Sequence, residues 1–256
     1  MSALAGLSDL LGAVLAAPHA VEPRLAYAAA CGSERAQFIG LQLEAQRLAR
    51  AGRPEWSGAA SEAQRLLEQH DHRLRWAGEI SSRVRWFAFY GGFVEHIQID
   101  AATFVATAEE LSRLAPVRRL ILTGARPAIG ELARSPHLAC IVELSLQRQI
   151  GDAELAALVA SPHLANLAWL DLAFCELTAA SVETLARANL PALRYVNFAG
   201  TDVESFAETV GIDGVSGQPV HPAGSAAACG PEQRYGRKAW LHPFEDLGHE
   251  LLEIEL

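Results

Sequence analysis

One recurring pattern constrains this chain more than anything else in it. The template L-x-x-L-x-L, with a large apolar residue at each L, recurs five times. It falls on Val94, Ile97, Ile99; on Val117, Leu120, Leu122; on Ile141, Leu144, Leu146; on Leu167, Leu170, Leu172; and on Leu193, Val196, Phe198. The starts are 23, 24, 26 and 26 residues apart. A second register keeps phase with the first: Leu114, Leu138, Leu164 and Leu190 each precede a template by three residues. Two of these are preceded by the same block, Ser135-Pro136-His137-Leu138 and Ser161-Pro162-His163-Leu164. Self-similarity at a period of 20–50 residues is the mark of a repeat architecture. Within each template the apolar residues alternate, as a half-buried strand requires. Between templates lie stretches with helical spacing, Asp152–Ala160 and Ala179–Ala188, with Asp152 as a candidate N-cap or first-turn acid and Thr178 as a candidate cap. Pro136, Pro162 and Pro191 follow the helices, where a helix stops. One β–α unit cannot bury both faces alone, so stacked units making a parallel sheet are predicted.

The fourth unit, Leu167-x-x-Leu170-x-Leu172-x-x-Cys175, resembles the leucine-rich-repeat motif. The resemblance covers about residues 93–210 and implies an α/β leucine-rich-repeat solenoid of about five β–α units. Its unit length and helical connections are similar to the ribonuclease-inhibitor-like subgroup, with helices on the convex side. In that family an Asn or Cys closes the motif and satisfies backbone groups at the turn. Cys175 holds that position here, and Ala125, Gln149 and Thr201 hold it in other units. Upstream, Pro23-Arg24-Leu25-x-Tyr27-Ala28 and Glu34-Arg35-Ala36-x-Phe38-Ile39-x-Leu41-Gln42 resemble the bacterial repeat-companion domain found ahead of such repeats. The chain departs from it at Ala28-Ala29-Ala30, where the family usually has Ala-Asp-Trp.

Four segments follow. Residues 1–58 form the helical module, with stripes at Leu7–Leu15, from Arg24, and at Phe38–Leu48, and AGRPEWSG (51–58) as a linker. Residues 59–92 hold a helix over 59–80, then Trp76, Trp86, Phe87, Phe89 and Tyr90 as an aromatic cap on the first repeat. The repeats occupy 93–210. Residues 211–256 are a Gly- and Pro-rich loop and an apolar tail, Trp240 to Ile254, expected to close the other end.

The chemistry of the chain narrows its function mostly by exclusion. The formal charge is −9, from 30 acidic against 21 basic residues, which argues against nucleic acid as a partner. Ten Arg against nine acids leave residues 1–92 at +1, so the acidity lies downstream. No apolar run is long enough to span a bilayer, and the first twenty residues read as an amphipathic helix and not a signal peptide. A cytoplasmic protein without membrane contact is expected. There is no phosphate loop, no G-x-S-x-G and no H-E-x-x-H. The four Cys, 31, 140, 175 and 229, are scattered, with Cys140 and Cys175 read as buried structural thiols. His70-Asp71-His72 reads as a solvated helix end. No cofactor and no metal are expected.

What remains is the strand face. Its outward positions include Gln98, Arg119, Glu143, Arg148, Trp169, Asp171, Tyr195 and Asn197. Trp, Tyr and Arg are enriched at binding hot spots. These eight are the candidate partner-binding residues of a non-enzymatic scaffold, acting as a monomer or in a partner-bound complex. The partner is a protein of unknown identity, a candidate product of a neighbouring gene. An equally open reading is that the tail or the 211–233 loop folds over Trp169 and Tyr195. A second function class is an inhibitor, immunity factor or regulated substrate of a bacterial effector or protease. The least supported is an enzyme using His242, Glu245 and His249.

Overall fold

A computed structural model describes residues 2–203 of the chain. The loop and tail expected over 211–256, with Cys229, His242, Glu245 and His249, lie outside the described residues. The described residues are mixed α/β, with nine α-helices and six strands that form a mostly parallel sheet. They divide into two units. One runs to Ile97 and takes in Glu109–Val117; the other holds Gln98–Ala108 and the residues from Arg118 onward.

Three helices open the first unit: α1 (Ser2–Ala16), α2 (Val21–Ala30) and α3 (Ser33–Arg50). Their apolar spacing brings Val14, Ala28 and Ile39 into one buried cluster with Phe93, and Leu11, Tyr27 and Leu43 pack against it. The single helix expected over 59–80 is two, α4 (Trp56–Leu67) and α5 (His72–Ala77), and α4 begins inside the expected linker. The chain turns at His70 and Asp71, whose φ values are +47° and +57°. His and Asp tolerate this left-handed region better than most residues. His72 is therefore not solvated. It is fully buried, with Nδ1 2.8 Å from the Leu66 carbonyl and its ring stacked 4.2 Å from Trp76.

The aromatic run expected as a cap is a strand, β1 (Trp86–Tyr90), neighbour to β2 (Phe93–Asp100). Gly91-Gly92 joins them with φ of +50° and +88°, as a two-residue I′ hairpin turn demands. Gln42 of α3 holds this hairpin: its Nε2 donates to the Phe89 carbonyl at 3.1 Å, and its Oε1 accepts the Gly92 N–H at 2.7 Å. Arg24 of α2 donates to the carbonyls of Tyr90 and Gly91 at 2.9 and 3.0 Å and pairs with the buried Glu95. The two N-terminal motifs thus fold back onto the hairpin.

In the second unit, Asp100 accepts the Thr103 N–H at 3.1 Å and caps the start of α6 (Ala101–Leu114). Then strands and helices alternate: β3 (Arg119–Thr123), α7 (Ala125–Arg134), β4 (Glu143–Ser145), α8 (Asp152–Val159), β5 (Trp169–Asp171), α9 (Ala179–Arg187) and β6 (Tyr195–Asn197). Successive strands pair in parallel, with Leu120, Leu144, Leu170 and Val196 in register and all buried. Ile129 and Leu132 of α7, Leu155 and Leu158 of α8, and Val182 and Leu185 of α9 complete the core. Leu138, Leu164 and Leu193 fill the corners between helix and strand.

The turns after the strands are held by the positions that close the template. Gln149 accepts the Gly124 N–H at 2.8 Å, the Cys175 thiol donates to the Leu146 carbonyl at 3.1 Å, and the Thr201 hydroxyl donates to the Phe198 carbonyl at 2.7 Å. Ala125 is simply buried. One expectation is decided and one needs correction. Of the two roles open to it, Asp152 is the first-turn acid of α8 and not its cap, for the N-cap is Gly151. It also accepts from the Thr178 N–H and hydroxyl and from Ser181, so it organises the start of the next helix. Burial pushes its acidity down, but those hydrogen bonds outweigh it and hold the pKa below the usual Asp value. Cys140 is exposed, because it ends a 3₁₀ turn at Pro136–Cys140 and does not reach the core.

Candidate functional site

Alternation along β3–β6 sends the leucines into the core and leaves two rows of side chains on the other face. Register aligns Arg119, Glu143, Trp169 and Tyr195 in one row and Ile121, Ser145, Asp171 and Asn197 in the next. Neighbours in a row are about 4.8 Å apart, the spacing of paired strands, so adjacent side chains shield each other. The Trp169 and Tyr195 rings stack with centroids 3.7 Å apart at 24°. Arg119 Nε lies 3.6 Å from Glu143 Oε2.

This face is drier than its alternation implies. Tyr195 is 2% exposed, and Arg119 and Asp171 are 8% exposed. Trp169, Glu143, Asn197 and Gln98 are half-buried, and of the eight candidate residues only Arg148 is exposed. Six of the eight converge: Arg119, Glu143, Trp169, Tyr195, Asp171 and Asn197. Gln98 lies on β2, outside the Asp171 network, and Arg148 lies at the turn after β4.

Asp171 is the organising group. It accepts from the Ser145 hydroxyl at 3.0 Å, from the Asn197 amide at 3.0 Å, from its own turn at Ala173 N (3.1 Å), and from the Gln147 amide. A carboxylate with four donors is fully satisfied where it is. Glu143, one strand away, is not. Its Oε2 is buried and has no hydrogen-bond partner among the described residues. Burial pushes the Glu143 carboxyl up to about 7; Arg119 pulls it down and Asp171 adds to the rise.

Below this network the turns adopt a common shape. Gly124, Arg148, Phe174 and Gly200 occupy equivalent positions with φ of +63°, +60°, +58° and +66°. All four are exposed, and Arg148 and Phe174 are the two that carry side chains, with the guanidinium 4.6 Å from the ring centroid. Phe174, 51% exposed, is not among the eight candidate residues. The Ser145 and Gln147 contacts to Asp171 are a feature that spacing does not reveal. The clue was an Asp inside a three-residue strand, a place where Asp is depleted.

The first unit holds a second unusual group. Arg35 is 9% exposed, and its guanidinium carbon lies 5.1 Å from the Trp76 ring and 5.4–5.5 Å from those of Phe38, Phe89 and Phe93. Its Nη1 is buried without a hydrogen-bond partner among the described residues. Burial lowers its pKa to about 10.

Among the described residues, no three His, Cys, Asp or Glu side chains are grouped to hold a metal. No described helix is long and apolar enough to cross a membrane. Comparison with known proteins finds no match, whether to a family model, a curated protein or a solved structure.

Proposed function

We propose that this chain is a leucine-rich-repeat solenoid with an N-terminal repeat-companion module, and that it acts without catalysis by binding a partner protein on the strand face of β3–β6. The observation that carries the reading is the in-register row Arg119, Glu143, Trp169, Tyr195 beside Asp171 and Asn197. Equivalent positions of successive units converge on one surface, and they bear aromatic and charged side chains of the kinds that dominate protein interfaces. The buried members, Tyr195, Arg119 and Asp171, set the shape of that surface. The half-buried Trp169 and Glu143 and the exposed Arg148 and Phe174 make the contact.

The test is affinity capture of a partner from the native cell, followed by titration of that partner with variants. Trp169→Ala combined with Arg148→Ala is expected to weaken binding by about a hundredfold, the loss of one or two hot-spot side chains. Far-UV circular dichroism should be unchanged. Unaltered affinity in a folded double variant would remove this face from the interaction.

A further inference from the structure

Two turns of the second unit carry side chains where their two counterparts carry none. Gly124 and Gly200 hold the left-handed position after β3 and β6, while Arg148 and Phe174 hold it after β4 and β5. That backbone is easy for glycine and unfavourable for Arg and Phe. The Phe174 ring lies against the bare backbone of Gly200, where a Cβ would come within 2.2 Å of its Cδ1. So seated, the ring is still exposed, and the Arg148 guanidinium stands 4.6 Å from its centroid. A ring stabilises the charge of a guanidinium but does not fill its five N–H donors. Among the described residues the Arg148 side chain has no hydrogen bond and no ion pair. Arg126 and Arg187, also exposed in this unit, pair with Glu176 and Glu183. Carboxylates are not scarce in a chain with 30 acidic against 21 basic residues. Those of the strand face are committed elsewhere, Asp171 to four donors and Glu143 beside Arg119. Arg148 is therefore a pre-positioned, accessible cation with unfilled donors.

We propose that the segment of the partner received at this edge is an acidic peptide: an Asp or Glu carboxylate accepts from the Arg148 guanidinium, and an apolar side chain next to it packs on the Phe174 ring. The proposal rests on the reading of the strand face as the partner-binding surface and gives that partner its chemistry. A guanidinium matches a carboxylate with two parallel N–H donors, which fixes orientation as well as charge. The ring holds the guanidinium in place beforehand, so less side-chain freedom is lost when the acid arrives. The Gly200 backbone in turn holds the ring, so three successive turns build one platform.

Selection of random linear peptides, displayed on phage, against the full chain tests this. The enriched peptides should share an Asp or Glu beside an aromatic or aliphatic residue. For one such peptide, followed by fluorescence anisotropy, Arg148→Gln in the protein and acid→amide in the peptide should each weaken binding by about tenfold, the loss of one charge-assisted pair. Combined, the two changes should cost little more than either alone, the sign of a direct contact. Arg148→Glu, selected against the same library, should enrich Lys or Arg in place of the acid. Arg148→Gly should bind as poorly as Arg148→Gln yet stay folded, because glycine suits the left-handed backbone there. Peptides that lose affinity for Trp169→Ala but bind Arg148→Gln like wild type would overturn the acidic partner and leave the strand face standing. Peptides that bind both variants like wild type would remove the face and the proposal together. No enrichment over an unrelated protein also overturns the proposal.

Discussion

Glu143→Gln should make this protein more stable at pH 8 and leave its stability nearly unchanged at pH 4. The Glu143 side chain is 16% exposed, and among the described residues its Oε2 faces the Arg119 guanidinium, 3.6 Å away, and has no hydrogen-bond partner. Burial, the larger influence, raises its pKa from 4.5 to about 7, with Asp171 adding to the rise. The unfolded chain releases this proton near pH 4.5, whereas the native state keeps it to about pH 7. Between those values the unfolded state binds fewer protons, so stability falls as pH rises. The contribution is complete below pH 4.5 and gone above about pH 7. At 1.36 kcal/mol per unit, that window is worth up to about 3 kcal/mol. Gln reproduces the shape of the protonated acid but never ionises. Urea unfolding of wild type and variant at pH 4, 6 and 8 reads the difference directly, because other titrating groups are common to both chains. The gap should be near zero at pH 4 and reach about 2–3 kcal/mol in favour of the variant at pH 8. A variant less stable than wild type at pH 8, or a gap that does not change with pH, would show that Glu143 is not held in an unfavourable environment.

Two further perturbations probe the scaffold around the site. Asp171→Ala leaves the donors of Ser145, Gln147, Asn197 and Ala173 without their acceptor. It should cost about 2–4 kcal/mol and lower the melting temperature by roughly 5–15 °C in a scanning calorimeter; a loss under about 1 kcal/mol would mean that water replaces the carboxylate freely. In the hairpin, a Cβ at Gly92 would lie 2.3 Å from Ile39 Cγ1 and 3.1 Å from Ile39 Cα, at a φ of +88°. Gly78, at φ +62°, has open space around it. Both substitutions strain the backbone, but only Gly92→Ala adds the clash, so it should destabilise by about 2 kcal/mol more than Gly78→Ala in chemical denaturation. Equal effects would mean that α3 does not pack on the turn.

Much of the strand and helix pattern was legible, and the reason is periodicity. Leu120, Leu144, Leu170 and Val196 sit at one position of the template, and the structure pairs and buries them together. The same register, carried one residue along, brings Trp169 against Tyr195 and Arg119 against Glu143. Alternation assigns a side chain to a face but does not say whether its neighbour will cover it, so the dryness of this face was not legible. The break at His70-Asp71 escaped for a different reason. Helical spacing continues through it, and only the φ values of +47° and +57° reveal the turn. The environment of Arg35 depends on rings at positions 38, 76, 89 and 93, drawn from four elements, and no local pattern encodes such a meeting.

The turns after the strands show how one backbone shape can be hidden by unlike side chains. Gly124, Arg148, Phe174 and Gly200 share a left-handed conformation. For glycine that costs nothing special, but for Arg and Phe it costs about 1–2 kcal/mol each. Backbone pairing enforces it, because Arg148 N donates to the Ala173 carbonyl at 3.1 Å and Phe174 N to the Ala199 carbonyl at 2.7 Å. The preceding turn thus cannot relax without breaking its bond to the next. Glycine at both positions would satisfy the backbone with less strain. Instead the two inner turns carry a guanidinium and an exposed ring, 4.6 Å apart, at the edge of the Trp169–Asp171 surface. Strain retained where a cheaper residue exists is an argument for a use of the side chain. The two residues that bear it are also the most accessible of the proposed contacts. Under the proposed function, these two side chains are the first contacts, ahead of the half-buried Trp169.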